Sequence, residues 1–337
     1  MSWRWLVVAA GALLTPPRVS AAQPAFFRTD SVLAFTLRTD LRALRRDRDT
    51  ADSPWREATI TWSGPDGPRT VPLRLRTRGA FRLGLCTFPP IRLRFTEDSV
   101  RGTPWHDLHR PKLVTHCMER AEYEQNVLQE YALYQVLRLI TPYSYPARLV
   151  RVTYEDAAGS EPVTHYGFVL EDPDQFAERV HGTPLTRTGI RQGEIHRPSA
   201  ALLGVWEYFI ANTDWSLPGL HNIALLRIDS VVHAVPYDFD WAGAINASYA
   251  RPQPSLPIRS VRERLYRGLC VNAEDLEPVL ARFESLKDSI AAAYRSVPDL
   301  DPRTVTRTLA WYDEFYRAIA DRNRFVQQAV ARDCFRQ

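Results

Sequence analysis

Apolar and polar residues alternate with a period of two in "EATITWS" and "TVPLRLRTR", which flank the turn "GPDGP", and again in "PPIRLRF" and "KLVTHC". This spacing predicts antiparallel strands between about residues 30 and 115. The period then changes. In "ERAEYEQNVLQEYALYQVLRLI", residues 119 to 140, Tyr123, Val127, Leu128, Tyr131, Tyr134 and Val136 or Leu137 recur at helical spacing, and "TP" ends the run. Two further strands, "ARLVRVTY" and "THYGFVLE", are separated by the loop "EDAAGSEP".

Beyond that point the pattern is mainly helical. "SAALLGVWEYFIANT" is an apolar helix, and "AEDLEPVLARFESLKDSIAAAY" places Leu276, Val279, Leu280, Phe283, Leu286 and Ile290 on one face. An amphipathic segment follows from about 303 to 332. The stretch 177–198 and the Pro-rich "RPQPSLPIRS" are predicted loops. Within this half, "NIALLRI" and "VVHAVPY" are β-rich runs joined at Asp229-Ser230, the signal of a hairpin. The overall expectation is an α+β chain, sheet and one long helix first, helices afterwards.

Composition adjusts this picture in four places. The chain has 337 residues, 45% hydrophobic and 24% charged, enough for one large or two modest domains. A net charge of +4 without a long basic run excludes a nucleic-acid stripe and a polybasic membrane patch. Residues 1–22 combine Arg4, the apolar run "LVVAAGALL" and small residues near Ala21 and Ala22, the order of a secretory signal peptide; a buried N-terminal helix is the alternative. No later segment has the length and apolarity of a membrane span. The expected location is therefore exported, periplasmic or extracellular.

Cys86, Cys117, Cys270 and Cys334 are even in number and lack a C-x-x-C spacing, so two disulfides are the natural reading in that compartment. Three connectivities are open. Cys86 with Cys117 and Cys270 with Cys334 is favoured, because each pair closes its own half; four buried thiols are the alternative. Only two of the 43 basic residues are lysines, Lys112 and Lys287. Where Arg is the default surface charge, a retained Lys raises the question of whether a compact ammonium is needed.

The candidate chemistry lies in "NTDWSLPGLHNIALLRIDSVVHAVPYDFDWAG", residues 212–243. Pairing about Asp229-Ser230 sets Asn222 beside Tyr237 and Asp238 at the hairpin mouth, about 5 Å apart across the strands. Asp214 arrives from the preceding helix. Oxygen ligands from Asn222 and Asp238, with Asp240 or Asp214 nearby, suit a hard cation such as Mg²⁺ or Mn²⁺. Singly, each of these residues is as well explained as a helix cap or a turn former. What points to function is their joint order.

At these residues the chain resembles the atypical protein kinases of the spore-coat CotH type. "DWSLPGLHN" followed by "PYDFD" is similar to that family's catalytic Asp, Asn and metal-binding Asp, while "RLRTRGAF", "NVLQEYALYQVL" and "THYGFVLED" stand in for its upstream segments. The resemblance spans about residues 70–245. It implies a bilobal protein-kinase-like fold: an antiparallel-sheet N-lobe with one long helix (23–172), and a mainly helical C-lobe (173–337).

The resemblance also implies roles. Lys112 would contact nucleotide phosphates, Glu130 would pair with that lysine, and Glu171 with its backbone would form the hinge that meets adenine. Arg76 and Arg78 would neutralise phosphate charge, although plain surface arginines explain them equally well. Asp214 would be the base for the acceptor hydroxyl, Asn222 and Asp238 the metal ligands, and Asp240 a second-metal ligand. The cofactors would be ATP or another nucleoside triphosphate with Mg or Mn, and the acceptor a protein or small-molecule hydroxyl. The chain has no G-x-G-x-x-G loop and no H-R-D segment, Ala80 follows Arg78-Gly79, and Asp240 stands where ordinary kinases have Gly. These departures sustain an alternative, a catalytically inactive kinase-like fold acting as an extracytoplasmic binding module. A metal-dependent hydrolase using the same acids is a third reading, without a His-rich set to favour zinc.

Overall fold

The computed structural model describes residues 23–49, 53–190 and 192–335; the expected signal peptide, 1–22, lies outside them. Among the described residues ten strands form two sheets: β1 (Leu33–Thr39), β2 (Arg56–Gly64), β3 (Gly67–Thr77), β4 (Ile91–Arg94), β5 (Lys112–Val114), β6 (Ala147–Asp156), β7 (Val163–Leu170), β8 (Thr183–Leu185), β9 (Ile223–Ile228) and β10 (Val231–Pro236).

The expected bilobal protein-kinase-like fold with an antiparallel-sheet N-lobe is overturned. The first seven strands close into a barrel of order β1-β2-β3-β4-β5-β7-β6. All neighbours are antiparallel except β1 and β6, which run parallel from Leu33 against Val150 to Thr39 against Asp156. That pair removes both free edges, and it makes the sheet mixed. β8, β9 and β10 form a separate three-stranded sheet.

Alternation along the strands decides what the barrel encloses. Phe35 and Leu37 of β1, Ile60 and Trp62 of β2, Leu73 and Leu75 of β3, and Val169 of β7 join one buried cluster with Trp105 and Phe88. The opposite face of β7 carries Phe168 and Leu170, which pack with Leu128, Tyr131 and Ala132 of the helix Ala121–Ile140. β6 and β7 are thus covered on both faces, which is why β6 is buried at most of its positions. Each such large apolar side chain contributes roughly 1.5–3 kcal/mol on leaving water.

The long helix forms as its spacing predicts. "AEDLEPVLARFESLKDSIAAAY" instead breaks at Leu286 into Ala273–Ser285 and Lys287–Arg295. Part of the 177–198 loop becomes β8, an edge strand on the hairpin. The disulfides are Cys86–Cys117 and Cys270–Cys334, the local pairing. Among the described residues no helix is long and apolar enough to cross a membrane.

Candidate functional site

The helix Arg197–Ile210 ends on Ala211, whose φ of 49° is left-handed, and Gly243 donates its N–H to the Ala211 carbonyl at 3.0 Å. Only glycine fits at 243, because a Cβ there would stand 2.1 Å from the Val261 carbonyl oxygen and 2.9 Å from the Ala211 Cβ. The end of this helix and the end of "DFDWAG" are therefore clamped together. Asp214 leaves the helix with its N–H donated to the Asn212 side chain at 3.0 Å.

The expected hairpin forms, Val231 standing opposite Ile228 through Pro236 opposite Ile223, with the Tyr237 N–H bonding the Asn222 carbonyl at 3.0 Å. Its turn residues Asp229 and Ser230 both have positive φ, the two-residue geometry that matches strand twist. Asn222 (φ 56°) and Asp238 (φ 65°) are left-handed as well, so the mouth holds two non-glycine residues in a conformation that costs energy. The Asn222 amide restrains Asp214 by donating to its carbonyl at 2.7 Å and to Oδ2 at 3.1 Å, while His221 Nε2 lies 3.2 Å from Oδ1. The Tyr134 hydroxyl accepts the Asp238 N–H at 2.9 Å and fixes that residue against the long helix.

Three acids act electrostatically on one another here. Glu130 and Asp240 are buried, 2% and 6% exposed, and Asp238 is half-buried beside them. Burial, then the charges of Asp240 and Asp238, hold the Glu130 carboxyl well above the usual range. Burial and Asp238 push Asp240 up to about 7, against the hydrogen bond that Asp240 accepts from the Tyr249 hydroxyl at 3.0 Å. Facing them are Arg78, Arg82 and Lys112. Burial lowers the Lys112 ammonium to about 7, helped by Arg78 and Arg92 and opposed by Asp238. Burial likewise lowers Arg78, with Asp238 acting against it. Arg82 is raised: burial works to lower it, and the combined charges of Tyr249, Asp240, Glu130 and Asp238 prevail.

The predicted residues divide into two groups. Lys112, Arg78, Glu130, Asp238 and Asp240 influence one another across β5, the segment after β3, the long helix and the hairpin mouth, and Asp214 acts electrostatically on Asp240. The expected Lys112–Glu130 pair does not form. Glu130 faces Arg82 at 3.9 Å, and the Lys112 ammonium lies 4.9 Å from the centre of the Tyr237 ring. Arg76 stacks on Trp55 at 4.7 Å on the barrel wall. The Glu171 side chain is fully buried and taken up by Arg179, with Nη2 to Oε2 at 3.0 Å and Nε to Oε1 at 3.1 Å, so its carboxylate is already paired. Lys287, the other lysine, is a surface partner of Asp313.

Arg82, Tyr134, Tyr249 and His221 escape the sequence reading. Tyr134 sits four residues after Glu130, on the same helix face, and that spacing was a usable signal. Arg82 carried none in so arginine-rich a chain. The acids and Asn222 offer oxygen to a hard cation, and burial of acids that resist ionisation without a counter-charge fits such an ion. The Arg78 Nε is buried and has no acceptor within the protein, which fits an anionic ligand. In comparisons with known proteins, the chain matches no family model and no curated protein.

Proposed function

We propose that the chain carries out divalent-metal-dependent phosphoryl transfer from a nucleoside triphosphate to a protein or small-molecule hydroxyl. The observation that carries this reading is the apposition of Glu130, Asp238 and Asp240 to Arg78, Arg82 and Lys112. Acids that hold a cation beside half-buried cations that hold phosphate are the parts that phosphoryl transfer requires, since it depends on positioning and charge cancellation. The reading rests on these side chains and not on the architecture. The resemblance of Asp214, Asn222 and Asp238 to the CotH set is consistent with it.

Asp238, Asp240 and the Asn222 amide oxygen would hold Mg²⁺ or Mn²⁺, which supplies charge neutralisation at the phosphates. Lys112 and Arg78 bind phosphate oxygens, the latter through its unpartnered Nε. Asp214, oriented by Asn222 and His221, accepts the proton of the acceptor hydroxyl as its oxygen bonds to phosphorus and the nucleoside diphosphate leaves. Two disulfides suit an oxidising compartment, and we assign the chain to an exported setting on that basis.

A second reading is a binding module without turnover. It is favoured by one observation, the pairing of Glu130 with Arg82 in place of Lys112. Thermal melting with Mg-ATP or Mn-ATP, followed by transfer assays on general protein acceptors, separates the two. A rise in melting temperature with phosphate transfer, both lost in Asp238→Ala, supports the enzyme. A rise without transfer supports the module. No response to any nucleoside triphosphate, with Asp238→Ala equal to the parent, defeats the enzyme and a nucleotide-binding module alike.

A further inference from the structure

His116 is fully buried, and neither of its ring nitrogens has a hydrogen-bond partner. A buried imidazole without a partner is costly, and nothing in the proposed phosphoryl site uses it. The residue lies two positions after the end of β5, next to the disulfide-bonded Cys117. Its Nε2 lies 3.8 Å from Glu119 Oε1, and on the other side of the same carboxylate His165 Nε2 of β7 lies 3.1 Å from Oε2. The ligand atoms of the three residues are within 4.8 Å of one another.

We infer that His116, His165 and Glu119 form a site for a zinc-class divalent cation, separate from the acidic hairpin mouth. Two imidazoles and one carboxylate are a donor set for that class, leaving one tetrahedral position to water. The surroundings of His165 resemble those of a ligand: its Nδ1 lies 3.6 Å from Glu124 Oε1, and that carboxylate also accepts the Tyr166 N–H. A carboxylate behind a ligating histidine fixes the ring with its far nitrogen towards the metal. A simple His165–Glu119 hydrogen bond accounts for His165 Nε2 but leaves His165 Nδ1 and both ring nitrogens of His116 without a hydrogen-bond partner.

The site must contract to bind. Bonds of about 2.0–2.1 Å give a tetrahedron with edges of about 3.3 Å, so donors that now lie up to 4.8 Å apart close by up to about 1.5 Å. Glu119 is half-exposed and can move; the two rings, stacked with centroids 3.8 Å apart, turn about their Cβ–Cγ bonds. Arg45 approaches Glu119 at 3.8 Å from the exposed side and must give way to the ion. Once bound, the cation ties β7, the segment after β5 and the start of the long helix together, because Glu119 and Glu124 bracket that start.

The test is metal uptake by the full mature chain, stripped with chelator under non-reducing conditions so that the cysteines remain paired. Zn²⁺ is titrated against a competing chromophoric chelator, and Co²⁺ supplies a ligand-field spectrum. The expected result is uptake of a single equivalent with an intense tetrahedral cobalt band, retained in Asp238→Ala and weakened by about tenfold or more in Glu119→Gln and in His165→Gln. Because His116 is fully buried, its replacement risks misfolding, and the two more accessible positions decide the matter. No uptake by the folded parent chain, a weak octahedral cobalt spectrum, or unchanged affinity in both variants overturns the inference. Retention in Asp238→Ala also keeps this result independent of the phosphoryl-transfer reading.

Discussion

Glu171 at the end of β7 and Glu130 in the long helix are both buried carboxyls, 0% and 2% exposed, yet they sit in opposite circumstances. Glu171 receives three hydrogen bonds from Arg179, and the ion pair is closed on itself. Glu130 has one guanidinium at 3.9 Å and two further acids, Asp238 and Asp240, acting on it. Burial raises both carboxyls; hydrogen bonding to Arg179 opposes the shift at Glu171, while like charge adds to it at Glu130. A carboxyl supplied with its own counter-charge is architecture. One crowded by other acids holds capacity for a ligand.

The largest expected effect tests the satisfied side of this contrast. Arg179→Ala strands Glu171 in the interior and should cost about 3–5 kcal/mol in urea denaturation. A loss below about 1 kcal/mol would mean that Glu171 finds water or another partner, and the contrast with Glu130 would collapse.

Asp238→Asn addresses the crowded side. Without a divalent ion it relieves repulsion on Glu130 and Asp240, so the midpoint of unfolding should hold or rise. With Mg²⁺ and nucleotide, transfer should fall by about 10²–10³-fold, the size seen when one element of transition-state charge stabilisation is removed. A variant that lost stability in metal-free buffer and kept its activity would show the acids to be structural.

Lys112 gives the pH test. Its folded value of about 7 lies below the ordinary 10.5, so between those limits the unfolded chain binds more protons. Stability therefore rises with pH across that window, by at most about 1.4 kcal/mol per pH unit, and Lys112→Met should flatten the slope. Phosphate binding has the opposite dependence, since it needs the ammonium: nucleotide affinity should weaken as pH rises through 7. Parallel slopes for parent and Lys112→Met in both measurements would remove Lys112 from the site.

The elements that were legible in the sequence share a short range. Asp229-Ser230 between two β-rich runs marked the hairpin and with it the adjacency of Asn222 and Tyr237 at its mouth, though not the exact register. The 3.6 spacing from Tyr123 to Ile140 fixed the helix that carries Glu130. The parallel pairing of Leu33–Thr39 with Val150–Asp156 joins segments more than a hundred residues apart, and alternation says which face of a strand is buried but not which edge finds which. The expectation of a bilobal architecture came from a resemblance carried mainly by site residues, and such residues recur on different folds. The partner of Glu130 was illegible for a similar reason: the reach of Arg82 depends on the short helix Phe81–Leu85 being held by Cys86–Cys117, a tertiary fact.

The smallest effect refines how the crowded region is held. The Tyr134 hydroxyl accepts the N–H of Asp238, a left-handed residue between the hairpin and the acids, while its ring packs 4.8 Å from Phe239. Tyr134→Phe keeps the ring and deletes the acceptor, so it should cost about 1 kcal/mol in denaturation. If the bond also sets the direction of the Asp238 carboxylate, the Mg²⁺ requirement for nucleotide binding should shift to higher concentration while affinity at saturating metal stays near the parent value. A stability loss with no change in metal requirement would assign Tyr134 to packing alone and leave the orientation of Asp238 to the hairpin backbone.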